Sequence, residues 1–196
     1  GARLLAAYPR RRLSAEQIRD HALHVSGLLV EQFGGPSVKP YQPEGLWREV
    51  AMPQSNTRDF ELGAGDDVWR RSLYTFWKRA SPPPGLMALD APTRESCVLQ
   101  RQSTNTPLQA LVLWNDVQFA EAARALAARA LAAAPEDDGR VAWLLLACTA
   151  RRAAPDELGL FLEALSGFRE RFRQAPEDAA ALLSVGRAAL QEQCDS

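Results

Sequence analysis

Lysine and cysteine are scarce in this sequence. Of the 23 basic residues only Lys39 and Lys78 are lysine, so arginine, which pairs in a plane with carboxylates and aromatic faces, carries nearly all positive charge. The three cysteines, Cys97, Cys148 and Cys194, are widely spaced and form neither a zinc-binding spacing nor a disulfide framework. A Cys-x-x-Cys-His motif is also missing. We therefore expect no metal and no haem attached to this chain.

Long apolar runs and a strong charge imbalance are missing as well. Without a run of about 18 apolar residues, we expect no membrane span. The formal net charge of -1 gives no general attraction to nucleic acid, so we expect no nucleic-acid partner. A chain of 196 residues that is 46% hydrophobic can form one globular domain. Because the chain starts at Gly1 and shows no secretory signal, we interpret residues 1–196 as a single domain and a C-terminal fragment of a larger multidomain protein.

Within this domain, residues 13–115 form a motif-rich part and residues 116–196 a helical part. Ser14 and its capping-box partner Gln17 predict a helix over 14–33, ended by Gly34-Gly35-Pro36. Helical spacing places its apolar face at Ile18, Ala22, Val25 and Leu29. The proline-rich loop from Gly34 to about Asp67 is too apolar for a free linker, so we expect it to pack across the domain.

The aromatic segment 71–79 fits either a strand or a helix. We favour a strand, because aromatic residues prefer strands and Pro82-Pro83-Pro84 ends the segment at once. Residues 96–102 are predicted to form a second short strand. The predicted fold class is therefore mainly α: a multi-helix domain with a long ordered loop and at most a small two-stranded β element.

Helix signals dominate the remaining sequence. Thr106, followed by Pro107 and Gln109, predicts a short helix to about Leu113. Asp116 can cap the next helix, which is predicted to extend to Ala134 with a stripe of Phe119, Ala123, Leu126 and Ala130. Further helices are predicted over 139–151, from Pro155 and from Pro176. Their short connections favour antiparallel packing in residues 116–196.

Arginine and aromatic residues are concentrated around segment 71–79. Aromatic rings can stack on sugars and guanidinium groups can bind acidic groups, which favours a groove for a sugar or an anionic polymer. The candidate binding residues are Arg71, Tyr74, Trp77, Lys78, Arg79, Arg101 and Asn105. The alternative is a core strand whose arginines pair with Asp66, Asp67, Asp90 and Glu95.

A second set of candidates could be catalytic. Asp90 and Glu95 could act as an acid/base pair of a hydrolase, with Arg94 as an electrophilic partner. Asp90-Ala91-Pro92 also fits an ordinary Asp-initiated turn. Cys97 as a nucleophile would need a base, but the only histidines, His21 and His24, are three residues apart on the first predicted helix. We interpret both histidines as solvent-facing or helix-packing residues.

Several motifs along the chain carry a family resemblance. They are Leu13–Asp20, Gly34–Val38, Tyr41-Gln42-Pro43, Leu46-Trp47, Arg71–Arg79, Asp90-Ala91-Pro92, Arg94-Glu95 and Thr104–Leu111. Together they resemble the DUF1553 (PSD1-like) family, the C-terminal domains of unknown function of exported planctomycete-type proteins. The resemblance implies export to the periplasm or cell surface and a preceding companion domain, in some proteins a haem-binding module. It supplies no catalytic residues.

The first hypothesis is therefore a non-catalytic or uncharacterised module of an exported multidomain protein. Its partners would be a companion domain of the same polypeptide, through docking, or a polysaccharide. One alternative is a carbohydrate-active hydrolase that uses Asp90 and Glu95. The other is an accessory domain to a haem electron-transfer module, with the haem carried by a companion domain.

Overall fold

The computed structural model describes residues 11–189, and this part of the chain is mainly α, as predicted. Two short 3-10 helices, Gly65–Trp69 and Ser72–Tyr74, lie between the second and third α-helices. Within the described range no helix is both long and apolar enough to cross a membrane. The α-helices are α1 (Ala15–Ser26), α2 (Leu46–Val50), α3 (Pro84–Ala88), α4 (Pro107–Asn115), α5 (Val117–Ala133), α6 (Asp137–Thr149), α7 (Pro155–Gln174) and α8 (Pro176–Leu183).

The first helix is shorter than the sequence predicted. Ser14 and Gln17 form the expected capping box, but the helix ends at Gly27 rather than at Gly34. Gly27 has a φ of 80°, and its N–H donates to the carbonyls of Leu23 and His24, which terminates the helix in a left-handed cap. The predicted span of 14–33 was therefore too long.

The buried face of α1 also differs from the predicted apolar stripe. Ala15, Arg19, Leu23 and Ser26 are the buried residues of this helix. Two of the four are polar, which apolar periodicity does not detect. The prediction of Ile18, Ala22, Val25 and Leu29 as the inward face was wrong by about one residue, although Ile18 still packs against the core.

Neither predicted strand forms. In segment 71–79 the chain makes a 3-10 turn over Ser72–Tyr74 and then only an isolated parallel bridge between Thr75 and Val38. A second bridge joins Arg70 to Val30. Residues 96–102 are exposed and irregular, because no neighbouring strand pairs with them. Aromatic content predicted the strand over 71–79, but the aromatic side chains there instead serve packing between loops.

The C-terminal helices begin close to their predicted positions. The Asp116 carboxylate accepts a hydrogen bond from the Gln118 N–H at 2.9 Å and caps α5 as expected. Proline stands at the first position of α4, α7 and α8. The helix predicted over 139–151 lies two residues earlier, at Asp137–Thr149. Local capping signals therefore located these elements well.

Packing is centred on α1 and α5, which contact each other extensively. From α4 onward each helix packs on the next one along the chain, and α3 packs on α1 and α4. A small apolar core of Ala15, Leu86, Leu89 and Ala91 joins α1 to the α3 region, with Trp77 and Phe119 against it. The segment from Gly27 to Pro83, which includes α2 and which we call the long connection, is fixed by buried polar contacts and by the buried side chains of Val38, Trp47 and Val68.

Candidate functional site

A buried arginine lies where α1, α5 and the long connection meet. The Arg19 side chain donates to Gln118 Oε1 at 2.5 Å, to the carbonyls of Val68 and Arg70 at 2.8 Å each, and to Ser72 Oγ at 3.1 Å. Burial lowers its pKa to about 10, against the opposing effect of Asp20 and Asp116. A buried guanidinium satisfied by carbonyls fixes the loop against both helices.

A second buried arginine organises the first part of that loop. Arg70 is only 2% exposed and donates to the carbonyls of Gln32 and Pro36, both at 3.1 Å, and to that of Gly34. Its guanidinium also lies 4.1 Å from the centre of the Tyr74 ring, whose hydroxyl accepts from the Gly34 N–H. The Arg70 side chain therefore holds the motif 34–38 in place by donating to its backbone carbonyls.

The most buried acidic group is Glu121 on α5, which is 0% exposed. Its carboxylate accepts from Trp69 Nε1 at 2.8 Å, from the Tyr41 hydroxyl at 3.1 Å, and from the backbone N–H groups of Arg187 and Ala188 at 2.5 and 2.7 Å. Burial and the adjacent Glu121 charge raise the pKa of Tyr41 to about 12. One carboxylate thus joins the loop, α5 and the segment after α8.

The predicted binding residues are held by different partners rather than by one groove. Arg71 pairs with Asp20 at 3.6 Å, and Arg101 pairs with Glu16 at 2.7 Å, so both lie against the acidic face of α1. Tyr74 belongs to the Arg70 contact described above. Arg79 and Asn105 are exposed.

Trp77 and Lys78 point to separate contacts. Trp77 Nε1 donates to the Thr93 carbonyl at 3.0 Å, and the Arg94 guanidinium stacks 4.2 Å from its ring centre. Lys78 donates to the Thr57 carbonyl at 2.6 Å and lies 4.8 Å from the centre of the Trp47 ring. Both side chains therefore hold loops in place.

The predicted catalytic carboxylates have unlike surroundings. Asp90, with a φ of 68°, accepts from the Thr104 N–H at 2.7 Å, from the Thr104 hydroxyl and from Gln109 Nε2, and lies 3.6 Å from Arg12. The hydrogen bonds from Thr104 lower the pKa of Asp90, which does not favour a general-acid role. Asp90 lines a cleft of about 680 Å³, whereas Glu95 is exposed and does not line it.

The cysteine and histidine candidates do not form a dyad in the described contacts. Cys97 is exposed, and His21 Nε2 instead contacts the Cys148 carbonyl at 3.0 Å. Cys194 lies outside the described residues. Within residues 11–189 no group of three or more His, Cys, Asp or Glu side chains is arranged to hold a metal ion.

An apolar surface that the sequence analysis did not identify lies on α4. Leu108, Leu111 and Trp114 are three residues apart and therefore share one helix face, which we call the α4 patch. Their exposed fractions are 58%, 57% and 76%. Monomeric proteins rarely leave so apolar a helix face in water, so this surface is a candidate for protein contact. The apolar sequence of this helix was the available signal for it.

The residues that organise this structure were mostly missed at the sequence level. Arg19, Gln118 and Glu121 lie on helices for which the sequence pattern predicts only an apolar stripe. Polar side chains at positions facing another helix were the available signal. Their partners lie about 50 or more residues away, as with the bond between Arg19 and the Arg70 carbonyl, and sequence spacing does not predict such contacts.

The fold and this buried network define a mainly α domain with a long ordered loop fixed by arginine and glutamate side chains. The family model described as PSD1, protein of unknown function (DUF1553), matches residues 1–165, and the chain belongs to that family. No curated protein and no solved structure matches the chain.

Proposed function

We propose that this domain is a non-catalytic docking module whose α4 patch binds a companion domain of the same polypeptide. The observation that carries the proposal is the exposure of Leu108, Leu111 and Trp114 on one face of a helix. Burying such side chains on a partner stabilises a complex by roughly 25 cal/mol per Å² of apolar area. The buried Arg19 and Glu121 networks support the proposal, because they give the patch a rigid base through α5.

Hydrogen exchange of the α4 amides tests the docking proposal. Exchange is compared between the purified chain and a longer polypeptide that includes the sequence its gene encodes on either side. We expect protection of α4 to increase by about tenfold or more in the longer polypeptide. A double variant, Leu111→Ser with Trp114→Ser, should abolish the increase while changing the free energy of unfolding of the purified chain by less than about 0.5 kcal/mol.

Leu160→Ser on α7 is the matched control, since Leu160 is 68% exposed and lies on another helix. This variant should keep the protection. Equal exchange of α4 in the two polypeptides would contradict docking. A concentration-dependent dimer of the purified chain that the double variant abolishes would identify a second copy as the occupant and would also contradict a companion domain.

A second candidate function is polysaccharide contact, favoured by a basic cleft. Arg11, Arg12 and Arg101 line the cleft that contains Asp90. Guanidinium groups bind the carboxylates and sulfate esters of acidic polysaccharides. The test is binding of the purified chain to neutral, sulfated and uronic-acid polysaccharides at varied salt. Salt-sensitive binding that Arg101→Ala weakens, and that the α7 variant Arg171→Ala does not, is expected.

Two further functions stay proposals that no particular contact favours. One is a hydrolase that uses Asp90 and Glu95. The other is an accessory role beside a haem carried by a companion domain. Export to the periplasm or cell surface is likewise a proposal that follows from the resemblance.

A further inference from the structure

A cleft separate from both surfaces described above lies in the long connection around α2. It encloses about 580 Å³, within the usual range of small-molecule sites. None of its residues belongs to the α4 patch or to the basic cleft. The lining residues that matter for its chemistry are Gln42, Glu44, Trp47, Arg58 and Phe60.

Two buried hydrogen-bond donors of this cleft lack a partner. Gln42 Nε2 and Trp47 Nε1 are shielded from solvent, and neither has a hydrogen-bond partner within residues 11–189. Trp47 is 2% exposed and is fixed between Phe60 and Phe76, at ring-centre distances of 5.1 and 5.5 Å. Unpaired buried N–H groups cost free energy. The flexible Gln42 amide can turn toward an occupant that supplies an acceptor oxygen, whereas the packed Trp47 indole cannot.

The cleft carries charges of both signs, since its lining includes Glu44 and Asp59 as well as Arg48 and Arg58. At the rim Arg48 is paired with Asp59, whereas Arg58 contacts only the Pro53 carbonyl, at 3.5 Å, among the described polar contacts. Arg58 is therefore the guanidinium that can bind a ligand carboxylate.

We propose that this cleft binds a small sugar acid, a ring with several hydroxyl groups and one carboxylate. The carboxylate pairs with Arg58, a hydroxyl oxygen accepts from Gln42, and hydroxyl groups donate to Glu44. The apolar ring face packs against Phe60. Because Gln42 Nε2 is covered, its side chain rotates to reach the ligand, whereas the packed Trp47 indole stays in place and makes no hydrogen bond to it. The proposal does not depend on docking through the α4 patch.

Calorimetric titration of the purified chain with galacturonate tests the site. Galactose, which has the ring without the carboxylate, and acetate, which has the carboxylate without the ring, are the two comparison probes. We expect both to bind at least about tenfold more weakly than galacturonate, because each lacks one half of the recognised chemistry. Acetate that binds as tightly as galacturonate would overturn the sugar assignment, and no binding of galacturonate would overturn the site.

Single substitutions show where on the chain galacturonate binds. Arg58→Ala should weaken galacturonate binding by about tenfold or more, and Gln42→Met by several-fold, with unchanged far-ultraviolet circular dichroism. Arg171→Ala on α7 removes the same charge elsewhere and should leave the affinity unchanged. Binding that is insensitive to Arg58→Ala but weakened by Arg101→Ala would overturn this cleft and leave polysaccharide contact at the basic cleft intact.

Discussion

At the scale of single residues, buried charge controls how the long connection is fixed. Arg19 and Arg70 are each surrounded by carbonyl oxygens, and Glu121 is surrounded by N–H and O–H donors. Each charged group therefore makes most of the hydrogen bonds that burial requires, although the Arg70 Nε–H has no partner within residues 11–189. Removing one of them leaves several buried partners unsatisfied, which costs more than the loss of a single contact.

We expect Glu121→Ala to destabilise the chain strongly. Four donors, from Trp69, Tyr41, Arg187 and Ala188, would lose their acceptor, so the loss should be about 3 kcal/mol or more. Urea unfolding followed by circular dichroism measures the change. Glu163→Ala, an exposed glutamate on α7, is the control and should change stability by less than about 0.5 kcal/mol. Equal effects of the two variants would contradict the central role of Glu121.

The Tyr41 hydroxyl predicts a pH dependence at the alkaline end. Its folded pKa is raised from the ordinary tyrosine value of 10.0 to about 12, so between these values the unfolded chain ionises while the folded chain keeps the proton. The stabilisation is therefore complete below pH 10 and is lost as the pH rises toward 12. An ultraviolet titration of phenolate should show one late-titrating tyrosine that Tyr41→Phe removes. A Tyr41→Phe curve with the same late step would refute this assignment.

At the scale of elements, helix capping and helix pairing dominate the C-terminal half. Asp137 at the start of α6 pairs with Arg169 on α7 and with Arg140 one turn further on. Glu157 in the first turn of α7 pairs with Arg151 before it, at 2.6 Å. These contacts lower the pKa of both carboxyl groups to about 2. They therefore link α6 to α7 through charge as well as through packing.

We expect acid to weaken this helix pair. A carboxylate whose folded pKa is lowered adds stability that is present above its unfolded pKa and is lost as the pH falls through about 2. Thermal unfolding of the wild type should therefore shift downward between pH 5 and pH 2, and Asp137→Asn should reduce that shift. Because both groups are partly exposed, added salt should reduce the effect of the substitution near pH 7. An identical pH profile for the variant would contradict the role of Asp137.

At the scale of the whole molecule, the segment after α8 returns to the centre of the domain. Gly186 has a φ of 88°, and a side chain there would overlap the Glu121 carboxylate. The next two residues donate their N–H groups to Glu121, and the Arg124 side chain donates to the Ala188 carbonyl at 2.7 Å. These contacts lie beyond residue 165, where the match to the family model ends.

Removing this segment should therefore destabilise the domain. A chain that ends at residue 183 loses two of the four Glu121 donors, and we expect a loss of about 2 kcal/mol or more in urea unfolding. A chain that ends at residue 189 keeps all of these contacts and serves as the control. Equal stability of the two shortened chains would show that the return of this segment to α5 contributes nothing.

The sequence by itself determined the helical class, the family and most helix starts, because capping by Ser14 and Asp116 and proline at first positions act within a few residues. Only the tertiary structure decided the rest. The strand preference of segment 71–79 was overridden because no partner strand lies beside it within residues 11–189. The buried face of α1 was decided by Arg19, whose hydrogen-bond partners are between 49 and 99 residues away. The exposure of the α4 patch and the unpaired donors Gln42 and Trp47 of the cleft around α2 likewise depend on how the chain packs.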